Sequence, residues 1–132
     1  MEEELPYDVR RQHLELTDET YPIWFFDMLD MPERYEGKTV SFLATVVKPD
    51  GFPKGHLVPG RSAMTCCADD IAFLGFVAKY KDSDEYQKGD WIYVTADVKH
   101  EYWEDYKGVG PVLYVKEIRR EKKPKEEVLN LV

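Results

Sequence analysis

The chain has 132 residues, a length that fits one domain with one hydrophobic core. Its 26 Asp and Glu residues outnumber its 18 Lys and Arg residues, so the formal charge of −8 disfavours general binding to phosphate backbones. No run approaches the roughly 18 apolar residues of a membrane span, and the first residues lack a signal-peptide pattern. We therefore expect a soluble chain, either cytoplasmic or membrane-associated, and its oligomeric state is left open.

The first 37 residues predict an arm, an edge strand and helical structure. The stretch MEEELPYDVRRQ is charged and unpatterned, whereas HLELTDET alternates and places Leu14 and Leu16 on one side. Further on, Asp30 and Glu33 resemble a capping box that begins a short second turn, which Gly37 ends.

The stretch YPIWFFDMLDM predicts an amphipathic helix. Its apolar residues at helical spacing are Ile23, Phe26 and Met28 or Leu29. The aromatic run within it has two interpretations: it caps the open end of the fold, or it is exposed as a docking patch for a membrane partner. The residues of this run are Trp24, Phe25 and Phe26.

From Lys38 onward, β-branched and aromatic residues are separated by turn signals, which is typical of a small all-β domain. Five strands are predicted within residues 38–120: KTVSFLATVVK, RSAMTCCADD, IAFLGFVAKY, WIYVTADVK and PVLYVKEI. PDGFPKGHLVPG and HEYWEDYKGVG are predicted as long loops. We predict a mainly β fold, a closed five-stranded OB-like barrel with an N-terminal helical extension, and a two-layer sandwich is the alternative. Residues 121–132 are predicted to form a charged tail.

Alternation within two of these strands predicts the core. The residues expected on the buried face are Val40, Phe42, Ala44 and Val46 in one strand and Ile92, Val94, Ala96 and Val98 in the other.

Four segments in order resemble a known family: YEGKTVSFLATVVK, GRSAMTCCADDIAFLGFVAKY, GDWIYVTADV and GPVLYVKEIRREKKP. They resemble the soluble C-terminal domain of a bacterial family of unknown function, and the Cys-Cys-Ala-Asp stretch is the most specific element. The resemblance implies an OB-like fold, membrane helices ahead of the domain, and a role as an accessory subunit of a permease. The given sequence lacks the membrane portion, so we expect an excised domain or a stand-alone relative.

The two cysteines are neighbours, and their chemistry has three interpretations. Because successive side chains on a strand point to opposite faces, both thiols reach one metal ion only through a bulge or turn. They pack as small apolar side chains, form a strained and reducible disulfide, or bind a transition metal such as zinc. The candidate metal ligands are Cys66, Cys67, Asp69, Asp70 and His56, with His100 as a further option.

The loops after the first strand and before the last one flank the binding surface of an OB barrel. The candidate binding residues in and beside these loops are Phe52, Arg61, Tyr102, Trp103 and Tyr106. Stacked aromatic rings with a positive groove are what single-stranded nucleic acid needs, and only the first loop supplies positive charge.

No catalytic constellation is present in the pattern. Ser41, Ser62 and Ser83 lie in no nucleophile elbow, and no phosphate-loop motif occurs. We therefore predict a non-catalytic binding module with a permease subunit as partner and a metal ion near the cysteines. The alternatives are an OB-type binder of single-stranded nucleic acid and a thiol redox sensor.

Overall fold

A computed structural model of the chain describes residues 5–65 and 69–131. Within these residues there are one α-helix, α1 (Tyr21–Asp30), and eight strands. The strands are β1 (His13–Glu15), β2 (Thr39–Val47), β3 (His56–Met64), β4 (Ile71–Gly75), β5 (Ala78–Lys79), β6 (Trp91–Trp103), β7 (Gly108–Arg120) and β8 (Val128–Asn130). Three short 3-10 turns lie at Pro32–Arg34, Ser83–Glu85 and Glu104–Tyr106. The prediction of a mainly β fold is confirmed.

The strand pairings follow a path that returns to its start. β2 pairs antiparallel with β6, and β6 pairs antiparallel with β7. β7 pairs parallel with β5, β5 pairs antiparallel with β3, and β3 pairs antiparallel with β2. Three further strands extend this path: β1 runs parallel to β2, β8 runs parallel to β3, and β4 runs antiparallel to β3.

The core lies between these strands and is filled by the residues that alternation predicted. The predicted residues of β2 and β6 are each at most 1% exposed, which confirms the buried face of both strands. Leu14 and Leu16 are also buried, so the first strand covers the core as its alternation indicated. Burying each such aliphatic side chain contributes about 1.5–3 kcal/mol.

The predicted helix is present, and of the apolar residues that the sequence placed at helical spacing only Met28 is buried. Ile23, Phe26 and Leu29 are 41%, 46% and 55% exposed. The other buried side chains of α1 are Tyr21, Pro22 and Trp24. The helix is apolar on more than one side, so its spacing alone does not tell which row of side chains meets the sheet.

The aromatic run on α1 divides between the two interpretations. Trp24 is fully buried, with its ring 5.6 Å from those of Phe42 and Phe76. Phe25 stacks on Phe76 at 4.5 Å, whereas Phe26 faces outward. The first two rings therefore cover the core, and the third contributes to the surface.

The segment PDGFPKGHLVPG, predicted as a loop, is a strand in its second half. β3 begins at His56 and includes Pro59 and Gly60. Pro59 fits because β3 changes partner there: β5 pairs with residues 56 and 57, whereas β4 pairs from residue 60 onward. A Cβ at Gly60 would lie 2.2 Å from the carbonyl oxygen of Leu74, so this close approach requires glycine.

The segment HEYWEDYKGVG is a hairpin and not the predicted long loop. β6 continues to Trp103, and β7 starts at Gly108. Lys107, with a φ of 55°, supplies the left-handed turn between them.

The predicted capping box is also wrong, because the turn at Pro32–Arg34 follows Met31 and has no side-chain cap. Near the other end, the predicted charged tail contains β8, whose Leu129 is buried.

Candidate functional site

Three half-buried rings from two separate parts of the chain meet at one end of the sheet. Trp103, at the end of β6, has its ring 5.0 Å from that of His56 and 5.9 Å from that of Phe52. The rings of Phe52 and His56 are 6.4 Å apart. We name Phe52, His56 and Trp103 the aromatic cluster. It depends on the long β6–β7 hairpin, which carries Trp103 to the loop of residues 48–55.

The loop that carries Phe52 is held by polar contacts. The Nδ1 of His56 donates to the carbonyl oxygen of Lys54 at 2.8 Å, which fixes the imidazole plane. The Gly55 N–H donates to Ser83 Oγ at 3.1 Å, and Lys48 Nζ donates to the Ser83 carbonyl oxygen at 2.6 Å. Because Ser83 is buried, the loop is anchored to the 3-10 turn at Ser83–Glu85. The aromatic cluster is therefore preorganised.

A hollow of about 380 Å³ lies beside the aromatic cluster and shares His56 with it. Its other lining residues include three lysines and a tyrosine: Lys79, Lys81, Lys116 and Tyr80. We name it the basic hollow. Although the whole chain carries a formal charge of −8, this part of the surface concentrates ammonium groups.

A hydrogen-bonded group of three side chains borders the basic hollow. Lys79 Nζ donates to Tyr114 Oη at 3.2 Å and lies 3.5 Å from Glu101 Oε1. The Tyr114 hydroxyl donates to the same carboxylate. The contact with Tyr114 raises the pKa of Lys79 and lowers the pKa of Glu101. Both groups are therefore charged at neutral pH.

The positive charge of this face exceeds its paired negative charge. Lys99 Nζ lies 5.0 Å from the centre of the Tyr114 ring, and Lys116 Nζ lies 3.2 Å from an oxygen of Asp97. Together with Lys79 and Lys81, these two lysines make four ammonium groups. The carboxylates paired with them are two, those of Glu101 and Asp97. The face as a whole is suited to an anion.

The structure brings two of the five predicted binding residues together, Phe52 and Trp103. Tyr102 is the neighbour of Trp103 on β6, is 60% exposed and donates to Glu104 Oε2 at 2.9 Å. Tyr106 donates to the carbonyl oxygen of Pro111 at 2.9 Å and accepts from the Val77 N–H at 3.0 Å. Burial raises the pKa of Tyr106, which remains neutral and fastens the hairpin to the sheet.

Arg61 is buried inside the fold, contrary to its predicted place on the binding surface. Its side chain is 1% exposed, and its Nη1 donates to Asp18 Oδ1 at 2.8 Å. Its Nη2 donates to the carbonyl oxygen of Glu126 at 2.9 Å, and its guanidinium lies 5.3 Å from the centre of the Trp91 ring. Arg61 therefore joins the N-terminal region, β3 and the C-terminal segment.

The predicted metal site falls partly outside the described residues, because these omit Cys66 and Cys67. β3 ends at Met64, so the predicted strand does not reach Asp69 and Asp70. Asp70 accepts a hydrogen bond from Thr65, whereas His56 is at the opposite end of β3. Residues 5–65 and 69–131 contain no group of three potential metal ligands, and metal binding at the cysteines remains a prediction.

Comparison with known proteins places the chain in a family. Residues 1–129 match the family described as the DUF1980 C-terminal domain. The chain belongs to this family. It is 22% identical over 114 residues to UPF0703 protein YcgQ of Bacillus subtilis (strain 168), a match that covers 86% of this chain and 40% of YcgQ. The predicted resemblance to the C-terminal domain of a bacterial family of unknown function is thus confirmed, and the chain spans less than half of YcgQ.

Crystal structures of the mitochondrial single-stranded DNA binding protein Rim1 from S. cerevisiae are distantly similar to this DUF1980 C-terminal domain. One is 16% identical, with a TM-score of 0.39 over 66% of this chain and 98% of that chain. Another crystal form is 18% identical, with a TM-score of 0.39 over 69% of this chain and 100% of that chain. Separately, no helix in the described part of the chain has both the length and the apolar character needed to cross a membrane.

Sequence reasoning missed the lysines of the basic hollow, although a weak signal existed. Lys79 and Lys81 are two residues apart, as are Tyr114 and Lys116. In a strand, the two members of each pair would lie on the same face. Parallel pairing of β5 with β7 places Lys79 opposite Tyr114. The pairing of these two strands, which are far apart in sequence, assembles the site.

Proposed function

We propose that this DUF1980 C-terminal domain is a non-catalytic binding module for single-stranded nucleic acid. In this proposal β2, β3, β5, β6 and β7 form an OB-like barrel, with the ligand face across β3, β5, β6 and β7. The observation that carries the proposal is the contiguity of the aromatic cluster and the basic hollow at His56.

The aromatic cluster is suited to the base of a nucleotide, and the basic hollow is suited to its phosphate. Every base has a flat π-face, and stacking on an aromatic side chain is worth about 1–3 kcal/mol per base. Phosphate groups pair with ammonium groups such as those of Lys79, Lys81 and Lys116. Because His56 belongs to both the aromatic cluster and the basic hollow, a base stacked on the cluster leaves its phosphate beside the lysines.

The acidic composition of the chain limits this binding without preventing it. Charges separated by more than about 10 Å are largely screened at 0.1 M salt, so the local lysines decide contact energies. The distant carboxylates reduce the association rate at low salt. If three lysines contact phosphates, the logarithm of the binding constant falls with the logarithm of salt with a slope of about −2.

The test is a titration of fluorescein-labelled oligodeoxythymidylate with the domain, followed by fluorescence anisotropy across a series of salt concentrations. The double variant Lys79→Gln with Lys81→Gln is expected to weaken binding and make the salt slope shallower by about 1–2. The matched control removes two charges from the C-terminal segment, in Lys122→Gln with Lys125→Gln, and is expected to leave the slope unchanged. Equal losses in both double variants, or no binding at low salt, would contradict the proposal.

Two further elements of the function also remain proposals. Association with a permease subunit follows from the family resemblance and concerns the longer architecture of which YcgQ is an example. A metal ion near Cys66 and Cys67 is tested by metal analysis of purified protein, with Cys67→Ser as the control. Titration of reactive thiols on the folded protein tests the alternative of a redox sensor.

A further inference from the structure

An apolar hollow of about 430 Å³ lies between α1 and the β6–β7 hairpin, apart from the aromatic cluster. Its lining includes Met28, Leu29 and Pro32 from the helical side and Tyr106, Val109 and Pro111 from the hairpin side. Leu29 is more than half exposed and Val109 is 72% exposed. Side chains of this type are normally buried, so the surface is suited to a partner.

The apolar surface continues along α1 beyond the hollow. Ile23, Phe26 and Leu29 recur every third residue, are all exposed and form one row on the helix. The row covers about two helical turns, about 9 Å from the first to the last residue, at about 1.5 Å per residue. We name this row together with the hollow the apolar groove. Exposed apolar side chains at i, i+3 and i+6 form a ridge of the kind that packs into the groove of a second helix.

Acidic residues are next in sequence to several residues that line the apolar groove. Asp30 follows Leu29, Glu33 follows Pro32, Asp105 precedes Tyr106, and all three are exposed. Glu36 accepts a hydrogen bond from Nδ1 of His100, which also lines the hollow, at 2.8 Å. This charge attracts basic groups and repels anionic lipid headgroups.

We propose that the apolar groove binds an amphipathic helix of a partner protein, one whose apolar face is flanked by lysine or arginine. The apolar row supplies helix-on-helix packing, and the acidic border sets orientation and selects against acidic segments. This proposal is independent of the nucleic-acid face, because it uses α1 and the outer hairpin and shares no residue with the aromatic cluster or the basic hollow.

The probe is a fluorescein-labelled peptide of about 18 residues, with leucines at helical spacing and lysines elsewhere. Leu29→Asp and Val109→Asp are each expected to weaken its binding by about tenfold. Ile71→Asp, which changes an exposed apolar residue of β4, is the matched control and is expected to bind as the wild type does. Asp30→Asn with Glu33→Gln is expected to reduce the salt dependence.

A scrambled peptide of the same composition separates groove binding from general attraction to an acidic protein. Equal binding of both peptides, or an equal loss in Ile71→Asp, would overturn the proposal. Binding to phosphatidylserine vesicles in place of the peptide would assign the groove to a membrane surface. Concentration-dependent dimerisation in sedimentation velocity that Leu29→Asp abolishes would assign it to a second copy of this chain. Either of these last two results also overturns the proposal.

Discussion

Replacing Trp103 with alanine removes the ring that both other members of the aromatic cluster contact. Its centroid lies 5.0 Å from that of His56 and 5.9 Å from that of Phe52, so the variant keeps only the 6.4 Å contact between the Phe52 and His56 rings. Losing one stacking platform is expected to cost about 1–3 kcal/mol of binding free energy. The dissociation constant for oligodeoxythymidylate should therefore rise about 5- to 160-fold at fixed salt.

Tyr102→Ala is the matched control, because it removes an aromatic ring from the adjacent position on the opposite face of β6. The Tyr102 ring is mostly exposed, and its hydroxyl bonds to Glu104, so the variant should change affinity less than twofold. Affinities are measured by anisotropy, and circular dichroism verifies that both variants are folded. An equal loss in the two variants, or no loss in Trp103→Ala, would refute the stacking argument.

Three further predictions concern stability and titration. Trp24→Ala should lower the free energy of unfolding by about 3–5 kcal/mol in urea denaturation, because the buried Trp24 ring contacts three other aromatic rings. Arg61→Ala should cost about 2–4 kcal/mol of stability and leave the oligonucleotide affinity of the folded protein unchanged. Weaker binding would instead support the sequence prediction that Arg61 contacts the ligand. The Tyr114 hydrogen bond lowers the pKa of Glu101 in the folded protein below its value in the unfolded chain. The ionised Glu101 therefore contributes fully to stability above the unfolded pKa, and this contribution is lost as pH falls through the folded pKa. Tyr114→Phe should raise the Glu101 pKa in an NMR titration, and an unchanged pKa would contradict this cause.

The strands that carry the core could be predicted because burial imposes a strict period of two. In β6, Ile92 and Val98 lie at the ends of an alternating run in which every second residue is buried. A register error of one residue would expose the whole run. The alternation in the sequence therefore determines which residues of the strand are buried in the structure. This constraint also indicated the mainly β class.

Other local features depend on contacts between distant parts of the chain. Which row of α1 is buried is decided by the rings of Phe42 and Phe76, which receive Trp24, and not by helical spacing. Pro59 stands within β3 because the change from β5 to β4 occurs beside it. Turn-forming residues therefore predicted a loop where the structure has a junction of three strands.

The candidate site was predictable only in part, because some of its residues meet through contacts between distant parts of the chain. Phe52 and Trp103 lie within the two longest predicted loops, which an OB-like arrangement brings together. Lys79 and Tyr114 are 35 residues apart and meet only through parallel pairing of β5 with β7. Arg61 was misassigned because its partners, Asp18 and Glu126, come from opposite ends of the chain.

The most direct test of the ligand face is an NMR titration of the isotopically labelled domain with oligodeoxythymidylate, followed by backbone amide shifts. The account predicts shifts that saturate together at residues 52–56, 79–81, 103 and 114–116, with little change in α1. Shifts confined to α1 and the outer hairpin, or no shifts at low salt and high oligonucleotide concentration, would contradict it.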